Sequence, residues 1–211
     1  MDEKKQLIIG ITGIIGSGKS TVAKYYGSLG YDVIYSDEIS KEIIKNNVLV
    51  QNKIKAVFGE NSFLDDNLNS SYISEIVFND INKLEKLNRI LHPAVIDEIS
   101  NLCEKLINEG KELIFVESAL MFETGTFDGY DYVIAVDCPE SIAIQRVMTR
   151  SGLTELEIKK RMKTQFDNSK KVSLADFSIS NKKTEKELFE GAEFVLSIIQ
   201  TLPPKEFNDE E

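Results

Sequence analysis

Leu7-Ile8-Ile9-Gly10-Ile11-Thr12-Gly13-Ile14-Ile15-Gly16-Ser17-Gly18-Lys19-Ser20-Thr21 is the stretch that decides the fold. Leu7 to Ile11 is short, apolar and rich in β-branched residues, and a glycine cluster bounds it, which predicts a buried strand. Gly13 to Ser20 fits G-x-x-x-x-G-K-[ST]. From Ser20 the pattern turns helical, until Gly30 stops it. A strand, a glycine loop and a helix in that order make a phosphate cradle. Glycines let the backbone aim N–H groups at phosphate oxygens, and the helix start adds open N–H groups and a positive dipole end. In this arrangement Lys19 reaches the β- and γ-phosphates as a point charge, and the Ser20 hydroxyl takes one position on Mg²⁺.

Outward from the loop, strands and helices alternate. Tyr31 to Tyr35 reads as a second strand and residues 38–58 as helix, with Ile39, Ile43 and Ile44 on one side. Gly59 to Asn69 is turn-rich. Residues 71–109 read as two helices broken near His92-Pro93, because proline suits a helix's first turn. Leu113 to Val116 and Tyr132 to Val136 are further buried strands, and helix follows from about Pro139 to Arg150. Thr154 with Glu157, and Thr184 with Glu187, are capping boxes. The first opens a helix to about Phe166 and the second the C-terminal helix. Ala175 to Ile179 reads as a last short strand. Such alternation implies βαβ units and a parallel sheet, with ligands at the carboxyl ends of the strands.

Composition narrows the function. The 211 residues carry 25 Lys+Arg against 35 Asp+Glu, a net charge of −10. That balance argues against nucleic acid as a partner, which normally demands a basic surplus. No apolar run approaches the roughly 20 residues that span a bilayer, and the N-terminus lacks a secretory pattern, so a cytoplasmic protein is expected. Cys103 and Cys138 lack metal or redox spacing and read as reduced thiols. A single histidine, His92, gives little support to a His-based metal site or a catalytic triad.

The charges that are present are placed selectively. There are four arginines, Arg89, Arg146, Arg150 and Arg161, against 21 lysines. Residues 145–171 hold eight Lys/Arg and three acids, a local +5. Arg146 and Arg150 are four apart on a helix and share a face. Arginine's planar fork pairs two oxygens and stays charged when desolvated, so the cluster suits a mobile lid that closes over ATP. No D-x-x-G or N-K-x-D segment occurs, which removes support for a GTPase, and no Leu-Ser-Gly-Gly transporter signature is present. A small P-loop kinase is the reading left. Asp37, after the second strand, is then either the base that orients an acceptor hydroxyl or a helix N-cap. Glu117, after the third strand, either holds Mg²⁺ through water or ends the strand in solvent. His92 is either a structural histidine or an acceptor contact.

Taken together in order, these segments resemble the dephospho-CoA kinase family over about residues 7–200. The resemblance rests on Ile11-Thr12-Gly13 leading into Gly16-Ser17-Gly18-Lys19-Ser20-Thr21 and on Val33-Ile34-Tyr35-Ser36-Asp37. It continues through Ile90-Leu91-His92-Pro93 and Phe115 to Glu123, then Arg146 and Arg150, Arg161 with Gln165, and Ala175-Asp176 with Ile179-Ser180-Asn181. It implies a three-layer α/β P-loop NTP hydrolase fold with a parallel sheet. The core would be about 6–37, 111–144 and 172–202, with a helical acceptor-binding insert about 38–110 and a lid about 145–171; the end, 203–211, is polar after a proline pair and reads by itself as a disordered tail. The resemblance implies transfer of the ATP γ-phosphoryl to the ribose 3′-hydroxyl of dephospho-CoA by a monomer or small homo-oligomer. Asp37, Lys19 and Arg146 would be catalytic. Gly13, Gly16, Ser17, Gly18, Lys19, Ser20, Thr21, Arg146, Arg150 and Asn181 would hold ATP, and Asp37, His92, Arg161 and Gln165 the acceptor. The pattern departs at Ile14 and Ala143, where Gly and Gln are usual, at Tyr35 and Glu117, which replace Asp, at Ala119, which replaces Pro, and at Ser70, which replaces Arg. Another small-molecule P-loop kinase, or an ATP-binding module without turnover, is the alternative.

Overall fold

The computed structural model describes residues 5–205. The backbone clusters into two compact units, one formed by the chain through Ile34 together with the chain from Cys103 onward, the other by Tyr35–Leu102.

The first unit is built on a five-stranded sheet in the order β2-β5-β1-β6-β7. The strands are β1 (Leu7–Thr12), β2 (Asp32–Tyr35), β5 (Leu113–Glu117), β6 (Tyr132–Asp137) and β7 (Phe177–Ser180). β1 lies at the centre and pairs in parallel with β5 (Ile9 opposite Phe115) and β6 (Ile11 opposite Ile134), and β6 pairs in parallel with β7 (Val136 opposite Ile179). Strands covered on both faces are apolar throughout, and β5 is buried at every residue. Around them run α1 (Lys19–Ser28), α6 (Glu140–Ser151), α7 (Glu155–Met162), α8 (Asn168–Leu174) and α9 (Glu185–Ile199). Tyr26 of α1 stacks on Phe115, and its hydroxyl donates to the Ala192 carbonyl of α9 at 2.9 Å, so the two helices cover β5 and β1 jointly. Both capping boxes form as expected.

The second unit holds α2 (Ser36–Asn46), α3 (Val48–Phe58), the hairpin β3 (Phe63–Leu64) and β4 (Asn67–Leu68), α4 (Ser70–Asn79) and most of α5 (Ile81–Asn108). Its core is Val50, Ile54, Phe58, Phe63, Ile73, Val77 and Leu91. The single helix expected over 38–58 is divided at Asn47, whose side-chain oxygen caps α3 by accepting from Val50 N at 3.1 Å.

Three further expectations are corrected. α5 does not break at His92-Pro93 but runs through Pro93. An interior proline costs about 3 kcal/mol, yet Leu91, Val95, Ile99 and Cys103 are all buried at helical spacing across it. Burying such side chains contributes about 1.5–3 kcal/mol each, which outweighs the local break. The helix expected to reach Phe166 ends at Met162, and α8 starts separately, capped by Asp167 accepting from Lys170 N at 2.8 Å. Pro203 and Lys205, expected in a disordered tail, are held. The Pro203 carbonyl accepts from the Tyr132 hydroxyl and Lys205 N donates to Asp131. Residues 206–211 of that tail lie outside the described residues.

Candidate active site

The phosphate loop joins β1 to α1 at the carboxyl edge of the sheet. Gly18 stands at the N-cap of α1 with φ +100, a left-handed conformation that glycine adopts freely. Ser20 lies in the first turn of α1, where backbone N–H groups have no helical partner. The loop is packed too tightly for side chains at its glycines. A Cβ at Gly16 would stand 2.4 Å from the Ala143 carbonyl oxygen of α6, and one at Gly13 2.4 Å from Ser17 Oγ. The small Ala143 thus lets α6 approach the loop backbone.

Four side chains from other elements converge on this loop. Glu117, the last residue of β5, sits with its carboxylate 3.5 Å from Lys19 Nζ, with side chains only 5% and 12% exposed. Asn181, just past β7 and 5% exposed, donates from Nδ2 to the Ser17 carbonyl at 2.7 Å. Its Oδ1 accepts from Arg146 Nη2 at 3.1 Å, and Arg146 Nη1 lies 3.5 Å from Cys138 Sγ. Arg146 is therefore half-buried and aimed at the loop by Asn181, while Arg150, one turn on, is exposed. Gln165 accepts from Ile15 N at 2.9 Å. The side chain that the resemblance put on the acceptor side thus spends its carbonyl oxygen on the loop itself. Arg161 lies one turn before Gln165 and is half-buried.

Two polar groups border the Asn181 corner. Asp137, at the end of β6, accepts from Lys182 Nζ and Asn168 Nδ2, each at 2.7 Å. Burial pushes its carboxyl upward, but these two donors hold it below the ordinary aspartate value. Burial raises the Cys138 thiol against the opposing charge of Arg146. Cys138 and Cys103 are both free thiols, as expected.

The second unit carries Asp37 and His92. Asp37 is exposed in the first turn of α2, and the N-cap position is Tyr35, so Asp37 does not serve as the cap. His92 is half-buried inside α5, and that burial lowers its pKa. Ser70 opens α4, where the preceding Asn69 supplies the cap by accepting from Tyr72 N.

Sequence reasoning passed over one pair. Lys171 counted as one of the lid cations, but its side chain is 0% exposed and its Nζ lies 2.7 Å from Glu123. It also donates to the Ala119 carbonyl at 2.8 Å. It faces inward, so the basic surface of 145–171 is one charge poorer than the count implies. The Lys170-Lys171 doublet gives no local sign of which lysine is buried. The sign is positional, four residues past the Asp167 cap.

The residues suit a magnesium–nucleotide. Glu117 is an almost wholly buried carboxylate beside Lys19, and Ser20 stands in the first turn of α1. The hydroxyls of Thr12 and Ser17 are buried with no hydrogen-bond partner among the described residues.

Comparison with known proteins gives the family. The family model described as dephospho-CoA kinase matches residues 7–187. A dephospho-CoA kinase of Chlorobium chlorochromatii is 31% identical over 195 residues, covering 90% of this chain and 92% of its own. A solved Thermus thermophilus structure superposes with a TM-score of 0.77 at 32% identity, covering 93% of this chain and 99% of that one. The dephospho-CoA kinase from Campylobacter jejuni gives 0.67 at 29% identity, covering 91% and 96%. With a family match that runs from β1 into α9, and a relative 31% identical over most of both chains, the chain belongs to the dephospho-CoA kinase family.

Proposed function

We propose that the chain transfers the γ-phosphoryl group of ATP to the ribose 3′-hydroxyl of dephospho-CoA, giving CoA. The observation that carries this reading is the convergence of Glu117, Arg146 and Asn181 on the loop that bears Lys19 and Ser20, in a chain matched to the family over residues 7–187.

Phosphoryl transfer passes through a loose transition state, so the protein's work is positioning and charge stabilisation. In this reading the backbone of Gly13, Gly16, Ser17, Gly18 and Thr21 wraps the phosphates, and Lys19 exchanges Glu117 for the β- and γ-oxygens. Ser20 and, through water, Glu117 would hold Mg²⁺, which would supply positive charge to neutralise the phosphates. Glutamate in place of the family's aspartate adds one methylene, which suits a carboxylate that both reaches Lys19 and accepts a water. Arg146 and Arg150 stabilise the charge on the transferring group, with Arg146 pre-aimed by Asn181. Asn181 also borders the adenine end. Asp37 orients the acceptor hydroxyl and takes its proton. His92, Arg161 and the free amide nitrogen of Gln165 meet the acceptor. Residues 145–171 act as the lid and 38–110 as the acceptor-binding insert. The enzyme works in the cytoplasm as a monomer or small homo-oligomer. No described helix is long and apolar enough to cross a membrane.

The test is Asp37→Asn in an ADP-release assay with dephospho-CoA. Loss of a general base lowers kcat by about 10²- to 10⁴-fold, with ATP affinity kept. An unchanged kcat overturns the assignment of Asp37.

A further inference from the structure

The buried ion pair between Lys171 and Glu123 plays no part in the mechanism above, yet it is tied to the phosphate loop on two sides. Glu123 lies in the turn over residues 119–125 that follows β5, the strand that delivers Glu117. Its Oε1 accepts from the backbone N–H of Phe166 as well as lying 2.7 Å from Lys171 Nζ, and its Oε2 accepts from Lys171 at 2.8 Å. Lys171 closes the turn at its start by donating to Ala119 O at 2.8 Å. Phe166 is the neighbour of Gln165, whose side chain holds Ile15 N at 2.9 Å. One buried cation thus fixes the segment after Glu117 and the segment that grips the middle of the loop.

We propose that Lys171 is a positioning residue for ATP. Acting through Glu123 and Phe166, it holds Gln165 on Ile15 and so keeps the phosphate loop open in its binding shape. Its side chain is 0% exposed, and its carbonyl and carboxylate partners engage it from two positions of the turn, so it shapes the site without touching the nucleotide. Burial pulls its pKa down, the Glu123 hydrogen bond and charge pull it up, and the like charge of Lys19 pulls it down again. A lysine needed only for bulk stability would have no reason to be chained to the loop backbone.

This inference rests on ATP as the donor, and the experiment separates the two. ATP dissociation constants are measured by calorimetry for the wild-type chain, Lys171→Met, Gln165→Ala and the double variant, with the acceptor KM for Lys171→Met and amide exchange over residues 13–18. Each single variant is expected to weaken ATP about tenfold, the worth of one hydrogen bond, and the double variant no further. Lys171→Met also raises its acceptor KM, because the Gln165 it releases meets the acceptor, and Ile15 exchanges faster in each variant. Absence of ATP binding by the wild-type chain would sink the functional reading. A wild-type chain that binds ATP while Gln165→Ala binds it equally well overturns the positioning role, whether or not Lys171→Met folds. Additive losses in the double variant also overturn it.

Discussion

Gly18→Ala probes the join between the phosphate loop and Asn181. The substitution is strained twice. Gly18 has φ +100, and a left-handed conformation costs a side-chain-bearing residue about 1–2 kcal/mol. The new Cβ would also stand 2.1 Å from Asn181 Nδ2, a separation no carbon–nitrogen contact tolerates. Asn181 must then swing away, releasing the Ser17 carbonyl that it holds at 2.7 Å. A buried acceptor left without its donor costs about 1–3 kcal/mol. Together the loss is about 2–5 kcal/mol. The separation of causes comes from a cycle. In an Asn181→Ala background the steric conflict is gone, so Gly18→Ala should cost only the conformational part, about 1–2 kcal/mol. The assay is urea unfolding of the four proteins with a shared m-value. Equal costs of Gly18→Ala in both backgrounds would refute the reasoning, since the clash with Asn181 would then contribute nothing.

Arg146→Ala should lower kcat more than it weakens ATP, because the arginine is assigned to charge that develops in the transition state, whereas equal losses would mean that it binds both states alike. Acid should destabilise the chain through its capping boxes. Hydrogen bonds from Thr154 hold Glu157 below the ordinary carboxylate value, and the Thr184 backbone, then Lys183 and the Thr184 hydroxyl, do the same for Glu187. Their contribution is complete above pH of about 4.5, the unfolded value, and is lost as pH falls through the lowered folded values. Tm followed from pH about 6 to 3 should therefore fall less steeply in Glu157→Gln/Glu187→Gln than in the wild-type chain. Identical slopes would deny the caps this role.

How much of this was legible in the sequence depends on distance along the chain. The phosphate loop was readable because its parts are consecutive and each glycine answers a local need. The same holds for the capping boxes, whose partners are three residues apart. The order β1, β2, β5, β6, β7 followed from apolar runs between turn signals. Pro93 misled because a local rule competes there with a buried stripe from Leu91 to Cys103 that only tertiary structure rewards. Asn47 and Asp167 were missed as caps, because a single Asn or Asp is frequent in turns as well. Lys171 was hidden most fully. Its partner Glu123 is 48 residues away, and composition alone sorts a buried lysine with exposed ones. Gln165 was legible as a site residue, but its bond to Ile15, 150 residues away, was not.

The measurement that bears most directly on the account is ADP release with Mg-ATP across an acceptor panel: dephospho-CoA, AMP, CMP, dTMP, adenosine and shikimate. Phosphorus NMR of the product locates the new phosphate. The account requires turnover with dephospho-CoA and a phosphate on the ribose 3′ position. Turnover with a different acceptor alone, or ATP binding with no turnover on any of them, would contradict it.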